Sequence, residues 1–176
     1  LGVSSVVSGF EHVIASLPLI VSFQSLVLDM AGNVGTQSLA VTIRVLSDEQ
    51  LTAKRTAKLI FKEVRVGAIN GLILGSLSCV LVGLFLFLTG QTAEMALNLG
   101  ISAVQASFLT SGCIGISLLA AMLLSSFFGT VIPVIFKKIK IDPAVASGPL
   151  ITTINDLIAV ASYYGLAWLL ILNFTI

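Results

Sequence analysis

The stretch "LVLDMAGNVGTQSLAV", residues 26–41, decides how this chain reads. Asp29, Asn33, Thr36 and Gln37, with Gly32 and Gly35, interrupt a run that is otherwise apolar. On an α-helix, residues four apart share a face, so Asp29, Asn33 and Gln37 form one polar stripe along a helix of greasy surroundings. Such a stripe has to face something wet or something charged.

The rest of the chain sets that context. Apolar residues make up 57% of the 176, charged residues only 10%, and mean hydropathy is +1.11, far from a soluble domain with about a quarter of its residues charged. These values describe a membrane protein. Lipid offers no water to an open backbone, so the expected fold is all-α, a polytopic helical bundle forming a single transmembrane domain over residues 1–176. The net charge of +1 gives no reason to invoke nucleic acid. Cys79 and Cys113 both fall in apolar runs and read as free thiols rather than a disulfide or metal pair.

Residues 1–10 reach only ~15 Å as helix, half of a hydrocarbon core, and read as the end of a truncated first span. Four longer runs follow, near residues 13–45, 64–88, 100–136 and 149–173, giving five spans counting the stub. All nine basic residues lie at two connections: Arg44, Lys54, Arg55, Lys58, Lys62 and Arg65 at one, Lys137, Lys138 and Lys140 at the other. The other connections carry Glu11 with His12, and Glu94. The positive-inside bias therefore puts residues 46–63 and 137–148 in the cytoplasm, in an inner (plasma) membrane, with the C-terminus outside. "SDEQLTAKRTAKLIFKEVR" predicts an amphipathic helix capped by Ser47, with Gln50 three positions on. Gly67, Gly71, Gly75, Cys79 and Gly83 leave one face of the third span nearly bare, and Ser111, Gly115, Ser125, Ser126 and Gly129 do the same in the fourth, a pattern of close helix packing. Pro133 is expected to bend or end its span, and Pro149 to open the next helix.

A second polar group lies in "GPLITTINDLIAV", where Thr152 sits one turn from Asp156, with Thr153 and Asn155 beside them. An ionised carboxylate near mid-bilayer costs at least ~2.5 kcal/mol, and the spans hold no basic residue to neutralise Asp29 or Asp156. Either the carboxyls are protonated and bonded to neighbouring helices, or they face a cavity holding water and a cation. The concentration of amides and hydroxyls at similar depth favours the cation. Its ligands would all be oxygen donors: carboxylates, amides, hydroxyls and the carbonyls around Gly32, Gly35 and Gly148. Zinc or copper would recruit Cys or His, so a hard divalent ion fits better. Mg2+, which keeps several waters and needs one or two carboxylates, suits so sparse a site, although this chemistry alone does not separate it from Mn2+ or Ca2+.

At these segments the chain resembles the MgtE family of magnesium channels and their eukaryotic solute-carrier relatives. "MAGNVGTQS" followed by "VTIR" is similar to that family's glycine-glycine-asparagine signature, and "IDPAVASGPLITTINDLIAV" places Asp142, Pro143, Ala144, Pro149, Thr152, Thr153 and Asp156 in the family's order. Ala31 departs from the pattern, standing where the family has the first glycine of its pair. The resemblance implies a homodimer whose second and fifth spans line a central pore for passive entry of hydrated Mg2+. It makes Asp156 the pore carboxylate, Asn33 the signature asparagine and Asp142 an acid at the cytoplasmic mouth tied to further ion binding and gating. It also implies cytoplasmic N-terminal and CBS sensing domains, for which these 176 residues have no counterpart. Two other readings remain: a proton-coupled carrier with Asp156 as relay, and an intramembrane aspartyl protease using Asp29 and Asp156, which lacks that class's glycine-x-glycine-aspartate signature.

Overall fold

The computed structural model describes residues 2–11, 18–48, 52–146 and 149–174. Within them all regular structure is helical: α1 (Gly2–Ser8), α2 (Pro18–Asp48), α3 (Ala53–Thr89), α4 (Ala93–Leu99), α5 (Ala103–Lys138) and α6 (Pro149–Phe174), with a short 3-10 turn at Pro143–Ala146. Three stretches are long and apolar enough to cross a membrane: Ala53–Thr89, Ala103–Lys138 and Leu150–Leu169. α2, at 31 residues, has the length. Gln24, Asp29, Asn33 and Gln37 dilute its apolar character, and for the same reason it is the helix to examine for function.

The helix ends follow local chemistry and correct one expectation. α3 starts at Thr52, whose Oγ1 accepts a hydrogen bond from the Arg55 amide at 3.4 Å, and not at Ser47. Ser47 belongs to α2 and donates its hydroxyl back to the Ile43 carbonyl at 2.9 Å. A serine hydroxyl can cap a new helix or bond back along the old one, and here the second use wins. The basic connector and the third span are thus one continuous helix of 37 residues. At ~1.5 Å per residue it is about 55 Å long, well beyond a ~30 Å hydrocarbon core, so its Lys- and Arg-bearing first turns project past the lipid tails. α5 opens on a full capping box: Ser102 Oγ accepts from the Gln105 amide at 3.2 Å while Gln105 Oε1 accepts from the Ser102 amide at 3.0 Å. Of the two outcomes expected of Pro133, a bend or an end, it does not end α5, which runs on to Lys138. α6 opens at Pro149 as expected.

α5 is the hub, touching α2, α3, α4 and α6. Its contact with α3 is the glycine seam. A Cβ added at Gly75 would meet the Gly115 carbonyl oxygen at 2.7 Å, and one at Gly67 would meet the Ser126 Cβ at 2.7 Å. The backbones therefore touch where side chains would otherwise hold them apart, which is how helices gain van der Waals contact in lipid. Ser126 extends the seam into a polar junction, bonded to Ser38 Oγ of α2 at 2.9 Å and donating to the Glu63 carbonyl of α3 at 2.6 Å. Both cysteines are free, Cys113 buried and Cys79 partly so. α1 lies against α6, where Phe10, just beyond its end, stacks on Tyr164 with ring centroids 5.8 Å apart.

Candidate functional site

α2 has two faces. Ile20, Val27, Ala31, Val34, Ser38, Leu39 and Thr42 are buried against α5 and α6. Asp29, Asn33, Thr36, Gln37 and Arg44 are exposed on the other side. The stripe read from the four-residue spacing is therefore a real surface, with the apolar face supplying the grip. Ala31, the departure from the family signature, is fully buried in the core cluster, where its methyl fills space against the neighbouring helices.

α6 runs antiparallel to α2 and is tied to it at both ends of the contact. Tyr163 donates its hydroxyl to the Ile20 carbonyl and Tyr164 donates to Gln24 Oε1, both at 2.6 Å. Leu39 and Ile151 share a small cluster at the other end. Those pairings, with Asn155 seated against Gly35, set the register, which brings Asp156 about level with Asn33 and Thr152 about level with Gln37. The two carboxyls fall within electrostatic reach of one another. Asp156 is half-buried, and Thr152, Thr153, Asp29 and Asn33 are exposed. The result is one continuous strip of carboxyl, amide and hydroxyl groups shared by two helices. Neither tyrosine anchor was singled out from sequence; two adjacent tyrosines in an apolar run were the available signal, since a buried phenol needs an acceptor.

Asn155 differs from the expectation that it sits beside Asp156 on the strip. It is fully buried and turned inward, and neither its Nδ2 nor its Oδ1 has a hydrogen-bond partner. A Cβ added at Gly35 would meet Asn155 Cγ at 2.7 Å, and the Gly35 backbone is also pressed by Gly129 of α5. Gly35 is thus a point where α2, α5 and α6 meet in close contact. An unpaired buried amide costs about 1–3 kcal/mol per group, so its presence calls for a reason.

Asp142 lies apart from the strip, exposed on the turn after α5, where its Oδ1 accepts from the Ala144 amide at 2.9 Å. That turn rests against α5 and α2. Lys137, at the end of α5, donates its Nζ to the Leu46 carbonyl and closes the same end of the bundle. Gly148 and His12 lie outside the described residues. Among the described residues no group of three or more His, Cys, Asp or Glu side chains is placed to hold a metal ion. A strip of two carboxyls, an amide and hydroxyls offers only oxygen donors, the kind that suit a hard divalent ion keeping several of its own waters.

Three helices long and apolar enough to cross a membrane, packed with a fourth long helix that carries a polar face, define a multi-pass helical membrane protein. Comparison with known proteins gives the class its family. A family model described as MgtE, divalent cation transporter, matches residues 24–166, and the chain belongs to that family. It is 36% identical over 163 residues to the magnesium transporter MgtE of Bacillus subtilis, covering 93% of this chain and 32% of that protein. Against the magnesium transporter MgtE of Enterococcus faecalis it is 33% identical over 164 residues, covering 93% and 32%. Against that of Thermus thermophilus it is 27% identical over 168 residues, covering 96% and 33%. The chain thus spans about a third of the length of these relatives. The family is one of transporters and not of enzymes, which sets the protease reading aside.

Proposed function

We propose that this chain is the membrane-embedded part of a magnesium transporter, one half of a homodimeric pore that lets hydrated Mg2+ pass passively into the cytoplasm. In this reading α1 belongs to the first of five spans, and α2 and α6 of both subunits line the pore. Asp156 is the principal ion-binding carboxylate, with Asn33, Thr152 and Asp29 along the same strip, Gly148 contributing its carbonyl, and Asp142 at the cytoplasmic mouth. The basic connections lie in the cytoplasm and the C-terminus outside, as the positive-inside bias favours. Regulatory cytoplasmic domains belong to the full-length protein.

The observation that carries the proposal is the exposed polar strip formed by the antiparallel contact of α2 and α6. Two Asp156 side chains facing each other across a twofold axis repel, and a divalent ion between them relieves repulsion and desolvation together. The site then prefers charge two over charge one. Inward movement of such an ion gains ~4.6 kcal/mol per 100 mV of inside-negative potential, at about 2.3 per elementary charge, so neither nucleotide nor proton gradient is needed. The test is complementation of a host that depends on added magnesium. The protein is expected to restore growth and Asp156→Ala to lose that ability; full growth with Asp156→Ala would overturn the proposal.

A further inference from the structure

The geometry points to Asn155 as a positioning residue for the ion site: its amide, seated on the side-chain-free backbone of Gly35, sets the rotation of α6 that presents Asp156 to the polar strip of α2. The inference rests on the pore reading above and adds a residue that touches neither the ion nor the strip.

Asn155 is fully buried with both polar atoms unpaired, and among the described residues no other amide side chain is in that state. Native interiors rarely tolerate such a group, so its retention marks a position where something other than stability is served. The place it occupies exists only because residue 35 is glycine. A Cβ there would come 2.7 Å from Asn155 Cγ and 2.9 Å from its Oδ1, closer than real Cβ contacts come. Gly35 cannot yield backward, because the Gly129 backbone of α5 supports it from the other side. The amide is therefore held in a three-helix notch. Successive residues on a helix are separated by ~100°, so fixing Asn155 inward fixes where Asp156 must point. Asp156 then sits half-buried, within electrostatic reach of Asp29. Residues that orient an ion ligand from behind commonly matter 10- to 100-fold for affinity.

The test is Mg2+ uptake into liposomes carrying the protein, read as half-saturating concentration and maximal rate per folded molecule. Asn155→Ala is expected to raise half-saturation about tenfold while changing the maximal rate less. Gly35→Ala should do the same from the other side of the contact, and it carries the test if Asn155→Ala is not recovered folded. The double variant should be no worse than Asn155→Ala alone, because the methyl at position 35 then meets no amide. Gly75→Ala, an equal insult to packing at the α3–α5 seam, should lower thermal stability and leave half-saturation unchanged. Unchanged half-saturation in Asn155→Ala, or a rise in Gly75→Ala as large as that in Asn155→Ala, would reduce Asn155 to packing and overturn the inference. Asp156→Asn separates the two levels. Its loss of uptake with Asn155→Ala unaffected would sink the positioning role alone, while full uptake in Asp156→Asn would sink the pore reading itself.

Discussion

Replacing Asp156 by asparagine keeps the shape of the side chain and removes one charge, so it isolates the electrostatic share of ion binding. The side chain is half-buried on the strip with Asp29 in electrostatic reach, and its neighbours Thr152 and Asn33 are exposed. An ion that keeps its inner water shell stands about 5 Å from a carboxylate that accepts hydrogen bonds from that shell. A double positive charge at that distance from a single negative one gains about 1.7 kcal/mol in bulk water and about 6.6 kcal/mol at an effective dielectric of 20. The exposed strip belongs near the first value, and easing the repulsion with Asp29 in the empty site offsets part of the loss. Mg2+ affinity is therefore expected to fall roughly tenfold or more, measured by isothermal titration of the purified protein with Mg2+, Ca2+ and Mn2+. A hydrated site loses affinity for all three by similar factors. A change smaller than about twofold would show that no ion is held at Asp156, and the reasoning from uncompensated charge would fail.

Further expectations follow from the packing and the faces of the helices. Gly75→Ala forces a methyl against the Gly115 carbonyl and should cost about 1–3 kcal/mol, seen as a lower melting temperature in detergent; unchanged melting would show that the seam is loose. Thr52→Ala removes the α3 cap and should cost about 1 kcal/mol, detected as faster amide exchange confined to the first turns of α3, with no change if that end frays already. In a background with Cys79 and Cys113 replaced, cysteines at Asn33 and Gln37 should react with charged, water-soluble thiol reagents. Cysteines at Leu77 and Leu81, equally exposed but on the apolar α3, should not. Equal reactivity at all four positions would contradict the wet strip.

The strip was legible because polar residues four apart in a greasy run admit few explanations, and Asp29, Asn33 and Gln37 do share the exposed face of α2. The glycine seam was legible for a similar reason, since Gly67, Gly71, Gly75 and Gly83 repeat nearly at helical spacing and all face α5. Orientation of apolar faces was not legible. Lipid and protein interior look alike to a leucine, so the hydrophobic pattern that marks the core of a soluble helix carries no direction here. That is why Asn155 could be placed beside Asp156 by spacing and yet turn into the bundle. The α3 start was misread because Ser47 and Thr52 offer the same hydroxyl, and which one caps depends on whether α2 has already ended. Pro133 was expected to bend or end its span; it lies buried inside α5 and does not end it, since neighbouring helices can satisfy the backbone that a proline frees in a bundle.

The central claim is passive, voltage-driven passage of Mg2+ along the strip. Liposomes holding the protein and a magnesium-sensitive dye inside, with membrane potential and pH gradient imposed independently, test it most directly. The account predicts entry that rises with inside-negative potential, ignores the pH gradient and is lost in Asp156→Asn. Entry that follows the pH gradient and is indifferent to voltage would contradict it.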